Sequence, residues 1–216
     1  MSLKQMIEKM QAQSLPDIPP EILQAMLAAT QKLVDSGIAE RALQPGERAP
    51  AFVLPGTRGE DVSLETLLER GPVVINFYRG AWCPYCNLEL KALDDALPAM
   101  QRLGASLVSI SPNLPEKSAA FAAENPFAFD LLSDVDNKVA KAYRLVFTLA
   151  EELRAIYAGF GLDLPAFDGN DRFELPLPAT YVVRPDGVVA AGFVHADYTR
   201  RMEPAAILAS LDACRT

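Results

Sequence analysis

Histidine, tryptophan and cysteine are scarce in these 216 residues, which hold one, one and three of them. A structural zinc site takes about four Cys, His or carboxylate ligands at close spacing. Beside the pair Cys83 and Cys86, the chain offers only Cys214 and His195, each solitary and far along the sequence. The spacing argues against a metal centre, and no cofactor is implied. Positive charge is also short: 20 Lys and Arg against 28 Asp and Glu give a formal net charge of -8. Such a balance does not suit a phosphate-binding surface, so no nucleic acid partner is expected. No apolar run approaches the roughly 20 residues that cross a bilayer, so no membrane partner is expected either. Lys4, Glu8 and Lys9 interrupt the apolar residues of the N-terminus, which leaves no signal-peptide core and predicts a cytoplasmic protein. In that compartment a cysteine pair is more often catalytic than a structural bridge. Apolar residues are plentiful: 50% hydrophobic content with 22% charge describes a chain that buries a full core.

The most informative stretch is Val73 to Leu90, VVINFYRGAWCPYCNLEL. A β-branched apolar run ends at a Gly turn and is followed by a helix-compatible segment, so the pattern is strand, tight loop, helix. Cys83 then falls at or just before the first helical position. Pro84 takes the first turn, where a missing N–H costs nothing, and Cys86 lies one turn on. Residues three apart share a helix face, so the two sulfurs can meet. Free N–H groups and the positive end of the helix dipole favour thiolate over thiol there. A bridge across so short a loop constrains little of the unfolded chain, which points to redox chemistry rather than a structural role. A buried, inert pair of core cysteines is the competing use, and Pro84 between them suits a helix start better than a helix interior.

On these residues the chain resembles two branches of the thioredoxin superfamily. Trp82-Cys83-Pro84-Tyr85-Cys86 is similar to the active-site motif of thioredoxins and TlpA-type disulfide reductases, in which the first Cys attacks. Counted from Phe77, Cys86 stands in register with the peroxidatic Cys of peroxiredoxins, and Glu89 with the acid that follows it. Arg79 occupies the family's usual Pro position and Cys83 its usual Thr position. Gly46 to Gly56, then Gly59, Val62 and Ser63, resemble the opening of the alkyl hydroperoxide reductase/thiol-specific antioxidant (AhpC/TSA) branch. Leu175 to Val183, with the Arg184-Pro185-Asp186-Gly187 turn, resembles the cis-Pro strand and hairpin of TlpA-like proteins, which would set Pro178 facing the cysteines.

The resemblance implies an α/β thioredoxin-like fold, a central mixed sheet flanked by helices. It also implies a thiol oxidoreductase in which Cys86 attacks a peroxide and Cys83 resolves the sulfenic acid to a disulfide. A thioredoxin-, glutaredoxin- or glutathione-type reductant would recycle it. Trp82, Pro84, Tyr85, Arg79, Glu89 and Pro178 are the supporting positions, with Arg79 able to supply the positive charge that peroxidases carry near Pro178. The alternatives are disulfide exchange on proteins with Cys83 as nucleophile, and a non-catalytic binding module.

The rest of the chain is read from its pattern. Residues 1–45 form a helical extension with helices predicted over Met1–Gln13 and Pro20–Ser36, whose apolar face serves either to cover the core or as a homodimer contact. Residues 46–216 form the thioredoxin-like domain. Ser63 caps a helix, and Pro98 breaks or kinks the helix that follows the cysteines. Strands follow at Ala105–Ser111 and Phe127–Leu132, separated by a helix over Asn113–Asn125. An insertion spans about 143–175. Its first half reads as helix, and its aromatic residues either lid the thiols, make a subunit contact or pack onto the body. A hairpin joins Tyr181–Val183 to Val188–Val194, and a last helix covers Glu203–Ala213. Arg200 and Arg201 read as a solvated pair. His195 is a polar strand-end residue or a general base, and Cys214 a terminal thiol or a resolving one.

Overall fold

The structure, a computed structural model, describes residues 1–214. In chain order it contains α1 (Leu3–Ser14), α2 (Pro20–Asp35), β1 (Val53–Pro55), β2 (Asp61–Ser63) and α3 (Leu64–Leu68). Then come β3 (Val73–Phe77), α4 (Pro84–Arg102), β4 (Ser106–Ser111), α5 (Pro115–Glu124), β5 (Asp130–Ser133) and α6 (Lys138–Ala142). The last part comprises β6 (Val146–Thr148), α7 (Glu151–Gly159), α8 (Leu164–Asp168), β7 (Glu174–Pro176), β8 (Ala179–Val183), β9 (Val189–Val194) and α9 (Pro204–Ala213). The central sheet has the order β5-β4-β3-β8-β9. β3 runs parallel to β4 and antiparallel to β8. It is a mixed sheet covered on both faces, which fits a β3 whose text is apolar apart from the buried Asn76.

Alternation along β3 divides the core. Val73, Ile75 and Phe77 face one cluster, with Leu64 of α3 and Val139 of α6. Val74 and Tyr78 face the other, with Leu90, Leu93 and Leu97 of α4, Ile207 and Leu211 of α9, and Leu3 and Ile7 of α1. The N-terminal helix is therefore part of the core layer. Its free N–H groups are also satisfied from across the chain, because the Glu203 carboxylate accepts from Leu3 N at 3.1 Å and Lys4 N at 2.8 Å. A third cluster joins Ala29 of α2 to Leu149, Leu153, Tyr157, Leu164 and Leu175 of the insertion.

Several expectations are corrected. Pro98 lies inside α4, which continues to Arg102 because Leu97 and Met100 on either side are buried in the core. The first half of the insertion is not one helix: Arg144 takes a left-handed conformation with φ 61°, which ends α6 and releases β6 to pair with β7. The strand expected from Phe127 begins at Asp130, since Phe127 N bonds back to Asn125 O in a turn. The cis peptide expected at Pro178 is absent, every described peptide bond being trans. Among the described residues no helix is long and apolar enough to cross a membrane.

Candidate active site

The β3–α4 connection is folded by its own sequence. Gly80 has φ 144°, and a Cβ there would press to 2.5 Å from Trp82 Nε1, so only glycine fits the turn. Cys83 N bonds to Gly80 O at 3.1 Å, closing the loop, and Asn87 N bonds to Cys83 O at 3.0 Å, opening α4. Cys83 is thus the N-cap and Pro84 the first helical residue, as the sequence predicts. Both thiols are free and buried.

Two guanidinium groups converge on them. Arg201, with its side chain only 1% exposed, sends Nε to Glu89 Oε2 at 2.7 Å and Nη2 to Cys86 Sγ at 3.3 Å. It also donates to the carbonyl of Tyr198. Arg201 is therefore not a solvated residue; Arg200 alone is exposed. The difference arises because α9 packs along α4, which lays the segment before α9 against the first turn of α4. Arg79 is equally buried. Its Nη2 donates to Tyr157 OH at 2.7 Å, and its guanidinium lies 5.0 Å from the Trp82 ring, 5.7 Å from Tyr157 and 4.5 Å from Tyr198.

Burial by itself would push both thiols up. For Cys83 this is outweighed by the hydrogen bond with Cys86 and by the charges of Arg79 and Arg201, which bring it down to about 6. For Cys86, burial and then the neighbouring Cys83 thiolate hold the thiol well above its ordinary value, against the pull of Arg201 and the Arg79 N–H. The pair therefore holds one negative charge and one shared proton. Burial likewise raises the Glu89 carboxyl to about 7, with Arg201 opposing.

Beside Cys83 lies an apolar cavity of about 380 Å³ with Arg79, Trp82 and Cys83 in its lining. Its other walls include Met10 of α1, Leu23, Met26 and Leu27 of α2, and Tyr157 and Phe160 of the insertion. Leu27 at 61% and Phe160 at 45% exposure are its most open large apolar residues.

The structure brings together most of the residues singled out from sequence. Cys83, Cys86, Arg79 and Glu89 form the charged centre; Trp82, Pro84 and Tyr85 line the cavity, with Tyr85 edge-on to Tyr198 at 5.4 Å. Pro178 lines a smaller cavity shared with Arg79, Tyr157 and Tyr198. His195 lies apart, its Nδ1 accepting from Asp197 N and its Nε2 against Arg200. Cys214 is half-buried, packed at the margin of the α4 and α9 cluster. The sequence did not reveal Arg201 or Tyr198 as site residues, and Tyr157 was visible only as one ring of an aromatic-rich insertion.

Comparison with known proteins shows the family and the fold. The AhpC/TSA family pattern matches residues 45–191. A putative peroxiredoxin of Mycobacterium tuberculosis is 40% identical over 101 residues, which is 47% of this chain and 64% of that protein. Peroxiredoxin Bcp of Escherichia coli is 35% identical over the same shares of the two chains. The chain thus spans less than two thirds of the length of these relatives. The crystal structure of peroxidoxin BcpB from M. tuberculosis superposes with a TM-score of 0.63 at 26% identity, over 81% of this chain and 99% of that one. Reduced 2-Cys peroxiredoxin from Plasmodium vivax superposes with a TM-score of 0.61 at 20% identity, over 80% and 82% of the two chains.

Proposed function

The chain belongs to the AhpC/TSA family, and on that premise we propose that it is a thiol peroxidase whose two-electron chemistry runs through Cys86 and Cys83. The observation that carries the proposal is the Arg201 Nη2 donor 3.3 Å from Cys86 Sγ, in a buried site that also holds Glu89 and the second thiol. Proton transfer from Cys86 to the Cys83 thiolate gives Cys86 the charge under Arg201. That thiolate attacks one peroxide oxygen, the O–O bond breaks, and the leaving alkoxide or hydroxide takes the proton from Cys83. Cys86 is now a sulfenic acid and Cys83 a thiolate again. Cys83 displaces hydroxide from Cys86 sulfur to form the disulfide. An external dithiol or glutathione-type reductant returns both thiols to the reduced state. The need for such a reductant fits a cytoplasmic site of action.

Residues 1–45 and the insertion act here as walls of the cavity, which suits peroxides with an apolar organic body. Leu27→Asp puts a charge at the mouth. It is expected to lower the ratio of the rate on cumene hydroperoxide to that on hydrogen peroxide by about tenfold, measured by peroxide consumption under saturating reductant.

Because the pair holds its charge from about pH 6 upward, its oxidation by hydrogen peroxide should accelerate between about pH 5 and pH 7 and level off above. Stopped-flow fluorescence of Trp82, the only tryptophan, reads this directly; a reaction no faster than that of an ordinary thiolate overturns the peroxidase assignment. A second reading, disulfide exchange initiated by Cys83, is favoured by one observation: Cys83 borders the cavity and Cys86 does not. Rapid oxidation by a disulfide with an ordinary rate on peroxide would establish that reading instead.

A further inference from the structure

Asp168 is a carboxylate, 5% exposed, at the end of α8. Among the described residues no cation lies within ion-pair distance of it, and burial raises it to about 7 against the opposing effect of Asn113. Such a group costs stability, and the reaction above does not use it. Its Oδ1 accepts from Asn113 Nδ2 at 2.7 Å. Asn113, itself fully buried, uses its Oδ1 to accept from Ala81 N at 2.9 Å. Ala81 O accepts in turn from Asn87 Nδ2 at 3.1 Å. The residue two before Cys83 is therefore held on both its backbone groups.

We propose that Asp168 is a positioning residue for the cysteine loop: it fixes the orientation of the Asn113 amide and so ties the inserted segment to Ala81. An ionised carboxylate can only accept hydrogen bonds, whereas an amide has a donating end and an accepting end. Facing an ionised Asp168, as it is above about pH 7, Asn113 must turn its NH2 that way and present its oxygen to Ala81 N–H. Without the carboxylate the Ala81 N–H alone holds the amide oxygen in place, and a flip would set two donors against each other there. The scaffold around this relay is tight. Leu114 N bonds to Phe167 O at 2.8 Å. Gly169 has φ 71°, and a Cβ there would lie 2.8 Å from Leu114. The inserted segment thus acts on the thiols by two routes, through Tyr157 on Arg79 and through Asp168 on the loop that carries Cys83.

The inference rests on the peroxidase reading for its rate measurement but not for its second readout, the pH titration of thiolate absorbance. Asp168→Ala is expected to slow oxidation of the reduced protein by hydrogen peroxide about tenfold, since a small displacement of a reacting group carries a cost of this order. It should also move the thiolate titration to higher pH, as Cys83 and Arg79 lose their fixed spacing. Asp168→Asn can still present an oxygen to Asn113 and should restore both to within about threefold of the original. Where Asp168→Ala does not fold, Asn113→Asp sets two carboxylates face to face and should show the same defects. Adding Asp168→Asn to that variant rebuilds a donor and acceptor pair and should reverse them. A folded Asp168→Ala protein with unchanged rate and titration overturns the proposal, as does an Asp168→Asn protein as impaired as the alanine variant. If the unaltered protein ignores peroxide, only the peroxidase reading fails, and the thiolate titration still decides the role of Asp168.

Discussion

Replacing Arg201 by methionine is expected to destabilise the fold by about 3–5 kcal/mol, the cost of stripping a buried carboxylate of its partner. Both side chains of the Arg201–Glu89 pair are 1% exposed, so water cannot take the place of the guanidinium. The size of the loss should depend on pH. Burial raises the Glu89 carboxyl to about 7 and Arg201 holds it down, so without Arg201 it rises further. Below about pH 6 Glu89 is protonated in both proteins and the penalty shrinks. Above about pH 8 the original protein keeps an ionised, paired Glu89 while the variant must protonate it or bury a lone charge, and the penalty grows. Urea unfolding at the two pH values measures this; a penalty independent of pH refutes the role assigned to Glu89. Reaction with peroxide should fall by about a hundredfold as well, because Cys86 loses the donor 3.3 Å from its sulfur. Arg201→Met combined with Glu89→Met should recover stability without recovering rate, which separates the two duties of the arginine.

Cys86→Ser should abolish the first oxidation step, lowering peroxide consumption at least about a thousandfold, since a hydroxyl is a far poorer nucleophile than a thiolate. Cys83→Ser has a different signature. It should still consume one equivalent of peroxide, more slowly because the proton acceptor is gone, and then stop at a sulfenic acid that dimedone traps on Cys86. Mass spectrometry of the trapped protein distinguishes the two. Dimedone on Cys83 in the Cys86→Ser protein, with none on Cys86 in the Cys83→Ser protein, would reverse the roles.

The local parts of this site were legible because short-range rules govern them. Val73 to Phe77 reads as a covered strand, Pro84 as a first helical residue and Cys86 as its neighbour one turn on. The remainder depends on contacts between distant segments. Arg201 meets Cys86 across 115 positions of sequence, and nothing in the text Arg200-Arg201 tells which of the two turns inward. Tyr157 reaches Arg79 from an insertion whose helix and strand boundaries depend on left-handed residues such as Arg144 and Phe173. Pro98 shows the same limit from the other side: its local cost is real, but the burial of Leu97 and Met100 outweighs it. The positive charge expected of Arg79 is present at the site, yet it is Arg201 that touches the Cys86 sulfur.

Arg79 differs from Arg201 in one respect. It is 3% exposed, its Nε has no hydrogen-bond partner, and among the described residues no carboxylate lies within ion-pair distance of it. The charge that balances it is the one held by the cysteine pair. In the proposed cycle, oxidation to the disulfide removes that charge and leaves the cation facing neutral sulfur in a dry interior. The reduced protein is favoured over the oxidised one by that imbalance. Electroneutrality of the core thus makes the disulfide a ready electron acceptor, and the driving force for recycling is built into the protein before any reductant arrives.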